Sequence, residues 1–151
     1  MGRIILGCDP GLGGALALYA EDAPEKISAE DMPVLAGQVN AVLLADIIRT
    51  YKPDLAIVER VGARPKQGVT SCFNFGRSFG VILGTLAALN VRTELVAPTQ
   101  WKRFFRLPSD KEASRAYALA HWPARAELFR RKKDEGRAEA ALLALYGSDN
   151  F

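Results

Sequence analysis

At 151 residues the chain has the length of one domain spanning 1–151, and 49% apolar residues suffice for a buried core, which excludes global disorder. It holds no apolar run long enough to cross a bilayer, and Met1-Gly2-Arg3-Ile4-Ile5-Leu6-Gly7 reads straight into a strand without the features of a secretion signal. The net charge of +3 is unevenly spread: residues 1–59 carry nine acids and four bases, residues 60–109 eight bases and only Glu94 as an acid, and residues 110–151 eight bases and seven acids.

A basic middle suits a surface that meets a polyanion, although charges scattered over solvent would give the same count. Cys8 and Cys72 lack metal-site spacing and are expected to be free thiols of a cytoplasmic protein.

Arg3–Cys8 is a short apolar run and reads as a buried strand. It ends in the turn Asp9-Pro10-Gly11-Leu12-Gly13-Gly14, and the apolar Ala15–Ala20 returns as a hairpin partner. Lys26–Met32 is a third strand. Val39–Tyr51 is helical by period, with Val39, Val42, Leu43, Ile47 and Ile48 on one stripe, and Lys52-Pro53-Asp54 ends it. Leu55–Val58 is apolar throughout, so it reads as a strand covered on both faces, and Glu59 follows it. Arg60–Val69 is a basic loop. Ser71–Leu89 is a long helix in which Gly76, Gly80 and Gly84 recur on one face; that costs helix propensity, so the face should approach either the sheet or a partner helix closely. Arg92–Ala97 is a fifth strand, Thr99–Phe105 a helical turn, Asp110–Trp122 a helix, Arg125–Lys133 a basic stretch and Glu135–Tyr146 the final helix. Three strands followed by strand–helix alternation imply a mixed five-stranded sheet with helices on its faces, where ligands gather at the carboxyl ends of strands.

Asp9 and Glu59 each follow an apolar strand. If those strands are neighbours, both carboxylates leave the sheet at one end, and a divalent cation that prefers oxygen would offset their repulsion. Asp9 alone is equally a turn former, whereas no turn requires Glu59. Glu139 interrupts an apolar helix and needs a partner there. Glu135 lies four residues earlier on the same face, and Asp134 sits at the helix start; either could equally serve as a charge near a helix N-terminus. His121 reads as structural. Trp101 and Phe104-Phe105 read as core under the short helix, with base stacking as the alternative.

Four fragments carry a family resemblance: Gly7-Cys8-Asp9-Pro10-Gly11, Ile57-Val58-Glu59, Pro98-Thr99-Gln100-Trp101-Lys102 and Lys132-Lys133-Asp134-Glu135-Gly136-Arg137-Ala138-Glu139-Ala140. In this order, over nearly the whole chain, they resemble the motif set of the RuvC-type Holliday junction resolvases, in particular their short phage-like form. The resemblance implies an RNase H-like α/β fold, a homodimer, branched DNA as substrate, and two Mg2+ or Mn2+ ions. It implies Asp9, Glu59 and Glu139 as catalytic metal ligands. The family commonly has Asp or His three residues before the last acid, where this chain has Gly136, so Glu135 is the expected fourth ligand and Asp134 its reserve. Lys102 and Lys111 resemble the family's basic residues near the scissile strand. Arg60, Arg64, Lys66, Arg77, Arg103, Arg131, Lys132 and Lys133 are further candidates for phosphate contact. No aromatic follows Glu59 as in RuvC itself; Phe73 and Phe75 are the nearest. An RNA nuclease of the same fold, similar to the YqgF proteins, and an inactive nucleic-acid-binding module are the alternatives.

Overall fold

The computed structural model describes residues 2–151. The chain runs β1 (Ile4–Asp9), β2 (Ala15–Ala20), β3 (Ser28–Asp31), β4 (Val34–Leu35), β5 (Gln38–Val39), α1 (Ala41–Tyr51), β6 (Leu55–Glu59), α2 (Val69–Ala88), β7 (Thr93–Val96), α3 (Pro98–Phe104), α4 (Lys111–His121) and α5 (Glu135–Asn150), with short 3-10 turns at Pro24–Lys26, Pro123–Leu128 and Lys132–Asp134. The central sheet has the order β3-β2-β1-β6-β7; the first three strands form an antiparallel meander, and β6 and β7 add in parallel to β1. The expected five-stranded mixed sheet with helices on both faces is therefore present.

Alternation along the strands divides the apolar residues between two cores. Ile5, Ala15, Ala17 and Ile57 face α5 with Trp101, Trp122 and Phe129. Leu6, Cys8, Leu16 and Val58 face α1 and α2 through Leu44, Ile48, Ile82 and Leu86. Helix α5 is buried without a break from Ala138 to Gly147, because the sheet covers one side of it and α4 packs against another. Its seat on the sheet depends on Gly7: a Cβ there would run into the Ala140 carbonyl of α5. Among the described residues no helix is long and apolar enough to cross a membrane.

The expected stripe of the first helix is corrected. Val39 belongs to β5, pairs with Val34 and is buried, while the Asn40 side chain caps α1 by accepting from the Val42 and Leu43 amides. That cap leaves Val42 and Leu43 exposed in the first turn, and Leu44, Ala45 and Ile48 face inward. The glycine face of α2 is also turned outward: Gly76, Gly80 and Gly84 are exposed, and a Cβ on any of them would meet nothing within 4 Å among the described residues. The helix packs on its own sheet through Ser78, Ile82 and Leu86 instead.

Candidate metal centre

Strands β1 and β6 lie side by side in parallel, with Cys8 opposite Val58, so Asp9 and Glu59 reach the same carboxyl edge of the sheet. The third acid comes from above. Because α5 presses onto β1 at Gly7, its first full turn stands over the Asp9 turn, and Glu139 points down into it. One carboxylate oxygen from each of Asp9, Glu59 and Glu139 lies within 4.8 Å of the others. These acids line a cleft of about 900 Å³ together with Lys102, Lys111 and Phe75.

Glu139 is 4% exposed, and its Oε1 has no hydrogen-bond partner among the described residues; the Lys102 ammonium stands 3.7 Å from that oxygen. Glu59 Oε2 accepts a hydrogen bond of 2.9 Å from the Trp101 indole N–H. Burial, followed by the charges of Glu139 and Glu59, holds the Asp9 carboxyl well above its ordinary pKa, with Lys111 and Lys102 opposing. Burial also raises Glu59, against the Trp101 hydrogen bond and the two lysines. Three converging carboxylates with an orphaned buried oxygen form a hard donor set, which fits Mg2+ or Mn2+ and not a thiophilic ion. The neighbouring Cys8 belongs to the opposite core, and burial pushes its thiol pKa up, so it stays protonated and outside the donor set.

The expected fourth ligand does not join this cluster. Gly136, three residues before Glu139, is the position that faces Asp9: a Cβ there would lie 3.3 Å from Asp9 Oδ2 and 3.1 Å from the Gly13 carbonyl oxygen. Glu135 is turned about 100° from Gly136 around the helix axis, contributes no oxygen to the cluster, and acts electrostatically on Arg115. Asp134 is 1% exposed and belongs to a different structure. Its carboxylate accepts from the Arg131 backbone amide at 2.9 Å and from the Arg131 guanidinium at 2.8 Å. Burial works against that carboxylate, but the bonds from Arg131 outweigh it and bring the Asp134 pKa below its ordinary value. Arg131 is accordingly engaged in folding the turn before α5.

The other basic candidates fall into two groups. Lys102, Lys111 and Arg64 line the acidic cleft, and Arg60 lines an adjoining hollow with Arg64. Lys66, Arg77, Arg103, Lys132 and Lys133 are exposed outside it. Arg77 lies 5.9 Å from the centroid of Phe73, which is 68% exposed. Trp101 is fully buried, so it does not stack on bases; its bond to Glu59 joins residues 42 apart and had no signature in the sequence.

A meander extended by parallel strands, with acids at the carboxyl ends of the neighbouring strands β1 and β6 and a third on a covering helix, defines an RNase H-like α/β domain with a hard-metal donor set. No protein-family model and no curated protein matches the sequence. Solved structures do match. RuvC of Thermus thermophilus aligns over 97% of this chain and 95% of its own, with a TM-score of 0.68 and 16% identity. The same enzyme in complex with a Holliday junction substrate covers 94% and 90%, with a TM-score of 0.65 and 17% identity. The fowlpox virus Holliday junction resolvase covers 98% and 99%, with a TM-score of 0.59 and 16% identity. The chain has the fold of these resolvases over essentially its whole length.

Proposed function

We propose that this protein is a metal-dependent endonuclease that cuts four-way DNA junctions. The observation that carries the reading is the convergence of Asp9, Glu59 and Glu139 around an orphaned buried oxygen at the carboxyl edge of the sheet. The fold shared with RuvC and the fowlpox enzyme supports the substrate class.

In this reading Asp9, Glu59 and Glu139 would hold the Mg2+ or Mn2+ ions, two to a site. Bound divalent ions supply an activated water and neutralise the charge that develops on the leaving oxygen. Hydrolysis adds the water oxygen to phosphorus and breaks the P–O3′ bond, giving a 5′-phosphate and a 3′-hydroxyl. Lys102 and Lys111 hold the scissile phosphate over the acids. Arg60 and Arg64, on the loop after β6, grip a neighbouring phosphate without reading sequence. Arg77, Arg103, Lys132 and Lys133 extend the basic surface. A second copy meets the outward glycine face of α2, so that two cuts fall on opposed strands; sedimentation of the free protein measures that stoichiometry.

The test is a cleavage assay with a four-way junction, a linear duplex and a structured RNA, in Mg2+ and in Mn2+. The junction is cut with paired nicks, and Asp9→Asn and Glu59→Gln each abolish the cut while leaving junction binding. Preferential cleavage of RNA, or undiminished activity in Asp9→Asn, overturns the reading.

A further inference from the structure

Two tryptophans are buried in the same core, and they spend their indole N–H groups differently. Trp122 donates to the backbone carbonyl of Pro24 at 2.9 Å, which satisfies a buried donor within the scaffold. Trp101 donates at the same distance to Glu59 Oε2, a carboxylate of the acidic cluster. Packing alone would be met by phenylalanine, which buries no donor. We propose that Trp101 is a positioning residue of the metal centre, whose indole N–H occupies one oxygen of Glu59 so that the other alone faces the ion.

The residue is built to hold that geometry. Trp101 is fully buried on α3, and the start of α3 is fixed by Pro98 and by Gln100 Oε1 accepting from the Ala97 amide at 2.9 Å. The indole therefore cannot swing away. Its ring face also lies 5.3 Å from the Lys102 ammonium, which stands 3.7 Å from Glu139 Oε1. One side chain thus touches the surroundings of two of the three acids, by its edge at Glu59 and by its face beside Lys102.

The chemical consequence is selectivity. A carboxylate limited to one oxygen suits Mg2+, which demands a small octahedral shell, whereas Ca2+ readily takes both oxygens of a carboxylate. Outer-shell partners of this kind typically contribute 10–100-fold to metal affinity.

This inference rests on the metal-centre reading, and calorimetry on the full chain separates the two. Mg2+ and Ca2+ are titrated into wild type and Trp101→Phe without DNA. The expected result is an Mg2+ affinity about 10–100-fold weaker in Trp101→Phe, with a smaller loss for Ca2+. Equal losses for both ions would mean a packing role and overturn the inference, as would no change. Wild type that binds neither ion defeats the metal centre and the inference together.

A second measurement needs no folded Trp101→Phe. In a 1H–15N spectrum of the wild type, the Trp101 indole proton stays downfield and slow to exchange when Mg2+ saturates the site, and Glu59→Ala shifts it upfield. The Trp122 indole is the internal control. A Trp101 resonance that moves on Mg2+ saturation to its Glu59→Ala position shows that Glu59 has abandoned the indole, and the inference fails.

Discussion

Asp9 stands above its ordinary pKa because it is buried and faces two like charges, and Glu59 shares the same direction of shift. Both carboxyls hold their protons more tightly in the folded chain than in the unfolded one. Their contribution to the stability of the metal-free protein is full below the ordinary carboxylate value of about 4, and it is lost as pH rises through the raised values. Thermal melting in EDTA gives a Tm that falls as pH rises above the ordinary carboxylate range. Asp9→Asn flattens that fall. Mg2+ at a hundred times its Kd restores about 2.7 kcal/mol in wild type and nothing in Asp9→Asn; the gain grows with pH, because the acids must shed protons before they bind an ion.

Asp134 behaves in the opposite way. Asp134→Ala removes the bonds from Arg131 and costs about 1–3 kcal/mol in denaturant unfolding, while calorimetry finds Mg2+ affinity unchanged. Asp9 and Glu59 were legible as a pair because each follows an apolar strand; Glu59 serves no turn, whereas Asp9 alone read equally as a turn former. Glu135 misled because i and i+4 share a helix face, yet the residue that meets Asp9 is Gly136. That contact depends on how far α5 is rotated about its axis, which no local pattern encodes.

Long periodic elements were legible, and short ones were not. Four strands of the main sheet and all five helices follow from apolar runs, periods and breakers, while β3 showed only a weak alternation over Lys26–Met32. The β4–β5 hairpin was missed because two-residue strands carry no period. Its turn is set by Ala36 and Gly37, both at positive φ (52° and 73°), the conformation of a tight two-residue hairpin turn. The α1 stripe failed for a related reason: a cap at Asn40 shifts the helix start, and Val42 and Leu43 then fall outside the buried face. The contact that organises the elements is α5 on β1 through Gly7. Gly7→Ala forces a methyl group into the α5 backbone, which cannot rotate aside as a side chain could. The expected cost in denaturant unfolding is about 3 kcal/mol, the upper end for overpacking. Calorimetry on the folded fraction finds Mg2+ binding lost as well, because Glu139 is carried away from Asp9.

Across the whole molecule the acids and the bases are segregated. The negative cluster lies at the carboxyl edge of the sheet, with Lys102, Lys111, Arg60 and Arg64 around it. In the proposed function this arrangement draws a phosphate backbone to the rim and leaves the acids for the cations. Each phosphate released from its counterions adds about 0.9 to the log–log dependence of affinity on salt. Arg60→Ala combined with Arg64→Ala therefore lowers that slope by about 1.8 in junction-binding titrations, with cleavage at saturating junction retained. An unchanged slope would take both residues out of the DNA interface. The basic middle of the sequence foreshadowed this rim, but it did not distinguish the residues on the cleft from those, such as Arg103, that are exposed outside it.

Helix α5 gives the molecule one more property. It brings both the last of the three acids and the apolar filling for a whole face of the sheet. A nascent chain whose α5 is still inside the ribosome has neither. The complete donor set and the ability to fold thus both wait for α5 to emerge. A product that stops before α5 is left with a bare sheet face that invites proteolysis, and it lacks the third acid of the cluster.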